Sequence, residues 1–575
     1  MWATTGSKPI NNSDSHLLTS SHIQNVKRLL IIISLLASIL PAVAFDAQAR
    51  KDEFARNLQV FNAVAKELQT NYVDTLNAKE IMEYTISAML YQVDPYTEYY
   101  PAADQDDLLT ISTGRYGGIG SVIGQRDGYI FMSEPYWNSP ARRAGIRHGD
   151  RLIAIDGDTL TSKSTTTEVS SRLRGPAGTE LKVTVQRPYV QDSIIDIVIQ
   201  REEIKVDPLP YYGVDKDGVG YMRLTTFNER AAAEVKEAVS SMLADKNLKG
   251  MILDLRGNGG GLLEGAVQVV SNFVPKGTEV LTTKGRNTSE NKTYRTATRP
   301  QTTDMPLVVL TDGNSASSSE IVAGSLQDLD RAVIVGERSF GKGLVQSGRN
   351  LPYGDLMKIT TARYYIPSGR LIQAIDYRER EADGRPVRKP DSLTNVYHTR
   401  AGRIVRDGGG ITPDVKVAQP EMNRLIYNLL NGYWVYDYAT RFTASNPQAP
   451  DSTTFKVTEE MFEDFKKGID PERFKYTVDI ERGLNMLRET AQKDGYMTDS
   501  LSSQFDQLEL MLKPDIDRDL NRNRERILEL IDSEISSRYW SDSEGVRREI
   551  ANDEVVDEAR KIILDPERYK SLLKP

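Results

Sequence analysis

The sequence predicts a multidomain α+β protein with an α/β layered core at its centre. Three observations lead there. From about residue 206 to residue 346, apolar runs of buried-strand length alternate with helical runs and glycine turns, the pattern of strands and helices stacked in layers. Ahead of this, residues 116 to 201 carry short strands broken by glycine turns, which reads as a small β-rich unit. Charged, helical stretches flank both, over residues 46–110 and 420–575. A chain of 575 residues with 39% hydrophobic content can bury several cores, and three or four domains are expected.

Net charge is −8, which argues against nucleic acid as the main partner. Cysteine is absent, so disulfides, thiolate metal sites and a cysteine nucleophile are excluded. Lys27-Arg28 precede the apolar segment Leu29 to Leu40 and then Pro41-Ala-Val-Ala44. A basic start, an apolar stretch and a small-x-small cleavage site after Ala44 make residues 1–44 a signal peptide, and an exported, periplasmic protein is expected. The segment is short of the roughly 20 residues of a bilayer span; left uncleaved, it would anchor the chain in the inner membrane. Its removal takes Lys8, Lys27, Arg28 and Asp14, a net +2, and leaves −8 − 2 = −10.

Residues 45–112 read as an N-terminal helical region. Phe54, Leu58, Phe61, Val64 and Leu68 recur at three- and four-residue steps, an amphipathic face. A second helix spans Ala78 to Tyr91, and Asp94-Pro95-Tyr96 ends it. The plain reading of that face is packing against the next domain.

Residues 113–203 change character. Tyr116-Gly-Gly-Ile-Gly120, Ser139-Pro-Ala-Arg-Arg-Ala-Gly145, Gly149-Asp150-Arg151-Leu-Ile-Ala-Ile155-Asp-Gly157 and Leu173-Arg-Gly-Pro-Ala-Gly178 resemble a PDZ domain of the bacterial-protease type. Such a domain adds an extended chain end as a strand to a sheet edge and captures the terminal carboxylate on backbone N–H groups. Gly118, Ile119 and Gly120 are the candidate carboxylate loop, because glycine-rich backbone can aim successive N–H groups at one anion; the alternative is that these glycines only serve tight turns. Ser121 stands where an apolar residue is commoner. The resemblance gives Arg174 the task of sensing the docked chain and aligning the active site, against the alternative of an ordinary surface ion pair.

Residues 204–419 read as the α/β core. Gly220 to Leu224 is a strand, Asn228 to Leu243 a helix, and Gly250 to Leu255 a buried strand that ends in Arg256-Gly-Asn-Gly-Gly-Gly261 before the helical run Leu262 to Phe273. That turn lacks the spacing and downstream acid of a dinucleotide site. Leu307 to Leu310 is a strand, Asp312-Gly313-Asn314 a tight turn, and a run of small hydroxyl residues leads into a short helix at Ile321 to Leu326. Strand, turn, serine and helix together hold a nucleophile at a helix N-terminus, where the dipole and free N–H groups favour negative charge. A second strand, Ala332 to Val335, precedes Gly341-Lys342-Gly343, and Leu356 to Tyr365 alternates as a strand.

A serine hydroxyl needs a base. Only four histidines exist: His16 and His22 precede the apolar segment, while His148 and His398 lie in other motifs. Lysine can serve if burial makes the neutral amine available, and Lys342, beside Phe340, is placed for it. On local chemistry Ser315, Ser317, Ser318 and Ser319 all compete, and Ser317-x-x-Glu320 also fits a plain capping box. Gly336 to Lys342 fits GxxxxGK, but Gly343 stands where a phosphate loop needs Ser or Thr, and strand rather than helix follows.

Asn314-Ser-Ala-Ser-Ser-Ser-Glu-Ile321, Gln327-Asp328, Arg331-Ala332, Phe340-Gly-Lys-Gly343 and Val345-Gln346 resemble the core signature of the carboxyl-terminal processing peptidases, or tail-specific proteases. Asn71-Tyr-Val-Asp74, Asp94-Pro-Tyr-Thr-Glu-Tyr99, the Asp254 to Gly261 turn, Ile366-Pro-Ser-Gly-Arg370 and Gly409 to Val415 extend the likeness over about Asp46 to Val417. The resemblance implies a serine-protease core of crotonase/Clp-like type. It makes Ser317 the nucleophile, Lys342 the general base and Gln346 the residue that orients the lysine. It places the oxyanion hole at the N–H of Gly260 or Gly261, with that of Ser318 as second donor. Ser318 and Gly259 depart from the alanine and proline common in the family. No metal or cofactor is implied; the N-terminal helices imply a homodimer.

Residues 420–575 read as a helical C-terminal domain with apolar positions at Leu425, Leu429, Tyr433, Leu528, Ile531 and Ile535. It would tether substrates or recruit an adaptor protein, and the sequence leaves those two open. The functional expectation is an exported serine endopeptidase that recruits protein or peptide substrates by accessible C-terminal tails. A PDZ adaptor on a catalytically silent fold is the main rival, and a nucleotide-binding enzyme the third reading.

Overall fold

The computed structural model describes residues 52–102, 105–191, 193–381, 384–418, 422–476, 479–512 and 515–575; the expected signal peptide lies outside them. Two units result, one up to Met89 and one from Leu90 onward. In the first, a helix covers residues 52–71 and a second begins at Ala78. Phe54, Leu58 and Val64 of the predicted apolar face are exposed. The all-helical expectation for residues 46–110 is corrected beyond Leu90: Glu98–Tyr100 is a strand, paired antiparallel with Leu356–Tyr365. The partner lies far along the chain, so no local pattern announces the pairing.

The core is a six-stranded sheet in the order Tyr211–Val214, Val219–Arg223, Gly250–Asp254, Leu307–Thr311, Val333–Gly336 and Val415–Lys416. Only the first pair is antiparallel. Its central strands are buried on both faces, which is why they read as continuous apolar runs rather than alternating ones. Helices Ala231–Leu243, Leu263–Val270 and Ser318–Asp328 cover one face. Ile550, Val555, Val556, Ala559, Ile562, Ile563 and Tyr569 cover the other. The last helices of the chain, Glu554–Leu564 and Pro566–Leu572, are therefore the third layer of the core. The Tyr569 hydroxyl bonds to the backbone of Leu307 in the central sheet. This finding divides the stretch 420–575 in two.

Its earlier helices, Arg424–Asn431, Trp434–Ser445, Glu459–Lys467 and Arg524–Tyr539, close a separate apolar cluster. That bundle is pinned to the β-rich unit of residues 115–205. Arg126 forks onto Asp437 at 2.7 and 2.9 Å, and the Tyr436 hydroxyl donates to the carbonyls of Met132 and Ser133.

A second sheet, Glu98–Tyr100, Leu356–Tyr365, Glu279–Gly285 and Lys292–Arg295, has Leu344–Asn350 paired to the long strand Leu356–Tyr365. The loop after Val333–Gly336 thus enters a strand, not a helix, and the phosphate-loop reading of Gly336 to Lys342 has no helix N-terminus to stand on.

Candidate active site

Ser317 lies between the strand Leu307–Thr311 and the helix Ser318–Asp328 and takes φ +55°, ψ −113°. This is a strained conformation for a residue with a Cβ, and the sharp turn it makes resembles the elbows that project nucleophiles. The neighbouring hydroxyls are committed elsewhere. Ser315 Oγ donates at 2.8 Å to the Leu255 carbonyl, Ser318 Oγ at 2.9 Å to that of Gly261, and Ser319 Oγ at 2.8 Å to that of Asn258. Those three serines are buried, while Ser317 is half-buried. Of the four candidates, Ser317 alone shows no such hydroxyl-to-carbonyl bond among the described residues.

Glu320 organises the site. It is fully buried; one oxygen accepts the N–H groups of Ser317 at 2.9 Å and Lys342 at 2.8 Å, and the other accepts the Gly341 N–H at 2.7 Å and the Ser339 hydroxyl. Burial pushes its carboxyl upward, while these donors favour the anion. The Ser317-x-x-Glu320 spacing is thus a helix cap and also a clamp joining the serine turn to the lysine loop. Tyr364 makes a second clamp: its hydroxyl donates to the Ser317 carbonyl at 3.2 Å and to the Lys342 carbonyl at 2.8 Å. Burial raises the phenol far above its usual range, so it stays a donor. Neither clamp was assigned from the sequence. Glu320 was legible only as a cap, and Tyr364 only as one residue of an alternating strand.

Lys342 is half-buried, and burial lowers its amine to about 8, with the nearby Lys358 adding to the fall. Its Nζ lies 4.0 Å from the centroid of the Tyr96 ring. Among the described residues no hydrogen bond joins it to Ser317 Oγ or to Gln346. Gln346 Nε2 donates instead to Thr360 Oγ1 at 3.1 Å.

The glycine turn comes against the serine. A Cβ on Gly260, at φ +102°, would stand 2.8 Å from Ser317 Cβ and 3.0 Å from Ser318 N, so only glycine permits the approach. Asn258, another residue not assigned from the sequence, staples the two loops: its carbonyl accepts Ala316 N–H at 3.0 Å, and its Oδ1 accepts Gly260 N–H at 2.9 Å. The two candidate glycines therefore differ. Gly260 N–H is taken, whereas Gly261 N–H has no partner among the described residues. Ser318, as the first helical residue, has no carbonyl of its own helix to bond. Two backbone donors beside a serine and a lysine of lowered pKa form the equipment for acyl transfer.

In the unit of residues 115–205, Ser121–Arg126 pairs on one side with Tyr129–Pro135 and is the outermost strand of its sheet. Helix Thr166–Leu173 lies alongside. The free edge is available to an added strand. Gly118, Ile119 and Gly120 lead into it, with Gly120 at φ +71°. The Arg174 backbone stands against Gly118, and its guanidinium lies over the Tyr116 ring, Cζ 5.1 Å from the centroid. The structure thus groups Arg174 with the carboxylate-loop candidates.

A family profile described as peptidase family S41 matches residues 218–378, one for a PDZ domain matches residues 133–187, and one for the C-terminal helical domain of a "Probable PDZ-protease" matches residues 425–563. A carboxy-terminal-processing protease of Bartonella bacilliformis is 37% identical over 323 residues, 56% of this chain and 73% of that one. A "Probable CtpA-like serine protease" of Staphylococcus aureus is 31% identical over 385 residues, 67% of this chain and 75% of that one. Among solved structures, a photosystem II D1 C-terminal processing protease is 25% identical, with a TM-score of 0.35 over 62% of this chain and 86% of that one.

Proposed function

The chain belongs to the carboxy-terminal-processing protease family, serine-type peptidases that recognise C-terminal tails, and on that premise we propose that Ser317 and Lys342 are its catalytic dyad. The neutral Lys342 amine takes the Ser317 proton as Oγ attacks a peptide carbonyl carbon. The oxyanion is held by the N–H groups of Gly261 and Ser318. The lysine ammonium then gives its proton to the departing amine, leaving an ester on Ser317. Water, deprotonated by Lys342, attacks the ester carbonyl carbon; the bond to Ser317 Oγ breaks, the carboxylic product leaves, and the lysine ammonium returns the proton to Oγ. The observation that carries this reading is the Glu320 carboxylate, which holds the backbones of Ser317 and Lys342 on one oxygen.

The test is casein degradation by wild type, Ser317→Ala and Lys342→Ala. Both variants are expected to lose activity by at least about 10³-fold, and the wild-type rate to rise with pH through about 8 as the lysine loses its proton. Undiminished degradation by Ser317→Ala overturns the assignment.

Three further parts of the reading concern location and partners. The protein is exported, supported by the Lys27 to Ala44 pattern; cell fractionation with N-terminal sequencing tests it. It forms a homodimer through the N-terminal helices, supported by the exposed face of Phe54, Leu58 and Val64; sedimentation of a Leu58→Glu variant as a monomer is the expected outcome by analytical ultracentrifugation. The two helices Asp479–Lys493 and Asp499–Leu512 of the C-terminal region recruit an adaptor protein, supported by exposed Ile480, Met486, Leu487, Leu510 and Met511; a chain lacking residues 479–512 is expected to keep casein activity and lose adaptor-dependent substrates.

A further inference from the structure

The segment Asp94-Pro95-Tyr96-Thr97 has no part in the dyad chemistry above, yet it is held rigidly. Buried Asp94 accepts the N–H groups of Tyr96 and Thr97, each at 2.8 Å, in a tight side-chain turn. The Tyr96 hydroxyl is hydrogen-bonded to that of Tyr377 at 2.9 Å, with the rings edge-on at 5.7 Å and 89°. Thr97 Oγ1 accepts the Thr360 N–H at 3.2 Å, and Thr360 Oγ1 in turn accepts from Gln346. The result is a fixed aromatic face under one side chain, Lys342, whose Nζ lies 4.0 Å from the ring centroid.

We propose that Tyr96 is a positioning residue for Lys342: its ring face holds the lysine ammonium off Ser317, so that only the neutral amine is free to turn to the nucleophile. The proposal rests on the reading of Lys342 as the base. A ring face attracts a cation through its quadrupole and has no such hold on a neutral amine. The contact therefore favours the protonated lysine and opposes the effect of burial. The other charges facing Lys342 are Lys358, which pushes its pKa down, and Asp94, Glu320 and Glu98, which push it up. Glu98 is itself ion-paired to Lys358. None of them is changed by altering the ring. Loss of the ring's attraction must lower the lysine pKa and move the acid limb of activity to lower pH.

The test is the pH profile of kcat/KM for casein cleavage by the full chain. Tyr96→Leu keeps apolar cover over the amine without a π face, and Tyr96→Phe keeps the face without the hydroxyl. Pentafluorophenylalanine in place of Tyr96 keeps the shape with the quadrupole reversed. Tyr96→Leu and the fluorinated form are expected to shift the acid limb down by about 0.5–1 pH unit, with Tyr96→Phe holding the wild-type limb. If Tyr96→Leu fails to fold, the near-isosteric fluorinated form decides. An unmoved or upward-shifted limb in the fluorinated form, with Lys342→Ala inactive, overturns the role of Tyr96 alone. An active Lys342→Ala overturns the assignment of the base, and this proposal with it.

Discussion

Both oxygens of Glu320 accept two donors, so an amide in its place would set N–H against N–H on one side. Glu320→Gln is expected to cost roughly 2–4 kcal/mol of stability, since buried donors lose their partner, and about 10²-fold in kcat through misplacement of the dyad; denaturant unfolding and casein rates check the two. Lys342 sets stability against function in the opposite sense. Its amine falls from 10.5 to about 8 on folding, so the unfolded chain binds more protons between those values and stability rises with pH across that window. Below about 8 the full cost of holding a buried ammonium remains. Lys342→Met should therefore gain roughly 1–3 kcal/mol at neutral pH, allowing for partial exposure, with the gain fading above the unfolded-state value. Urea unfolding of the variant at neutral and strongly alkaline pH measures it.

At the scale of elements, the site lies where three chain segments meet: the serine turn, the glycine turn Arg256 to Gly261 and the lysine loop before Leu344–Asn350. The first two touch closely enough that Gly260→Ala must displace Ser317 or Ala316. The new Cβ would also sit at positive φ. We expect a loss of roughly 1–3 kcal/mol in stability and at least about 10²-fold in kcat, visible in the thermal melt and in casein turnover. The free edge of Ser121–Arg126 belongs to the same scale: a tail added there would use backbone that the sheet leaves unpaired, so its geometry would be set by the fold and its preference by the side chains around it.

Across the whole molecule, the final helices complete the catalytic core although the bundle of residues 424–539 separates them from it in sequence. Truncation after residue 545 would strip Val555, Val556, Ile562 and Ile563 from the face formed by Tyr221, Ile252, Val308 and Val333. The shortened chain is expected to aggregate or to melt without a cooperative transition, which light scattering and calorimetry would show. The bundle between core and tail is itself fastened to the tail-binding unit through Arg126, Asp437 and Tyr436, so recognition and catalysis share one continuous structure from Leu90 onward.

The strands Leu307–Thr311 and Leu356–Tyr365, the helix after Ser317 and the glycine turn were legible in the sequence because strand and helix periods and turn residues act between chain neighbours. At the proposed site, local chemistry left Ser315, Ser317, Ser318 and Ser319 in competition, and only the family resemblance singled out Ser317. The strand at Glu98–Tyr100, the outer layer supplied by Glu554–Leu572, the clamps made by Glu320 and Tyr364 and the seat of Lys342 on Tyr96 were not legible. Each joins residues far apart along the chain. Contacts of that kind are selected by burial and by the need to satisfy every buried donor, and they leave no periodic trace in the amino acids that make them.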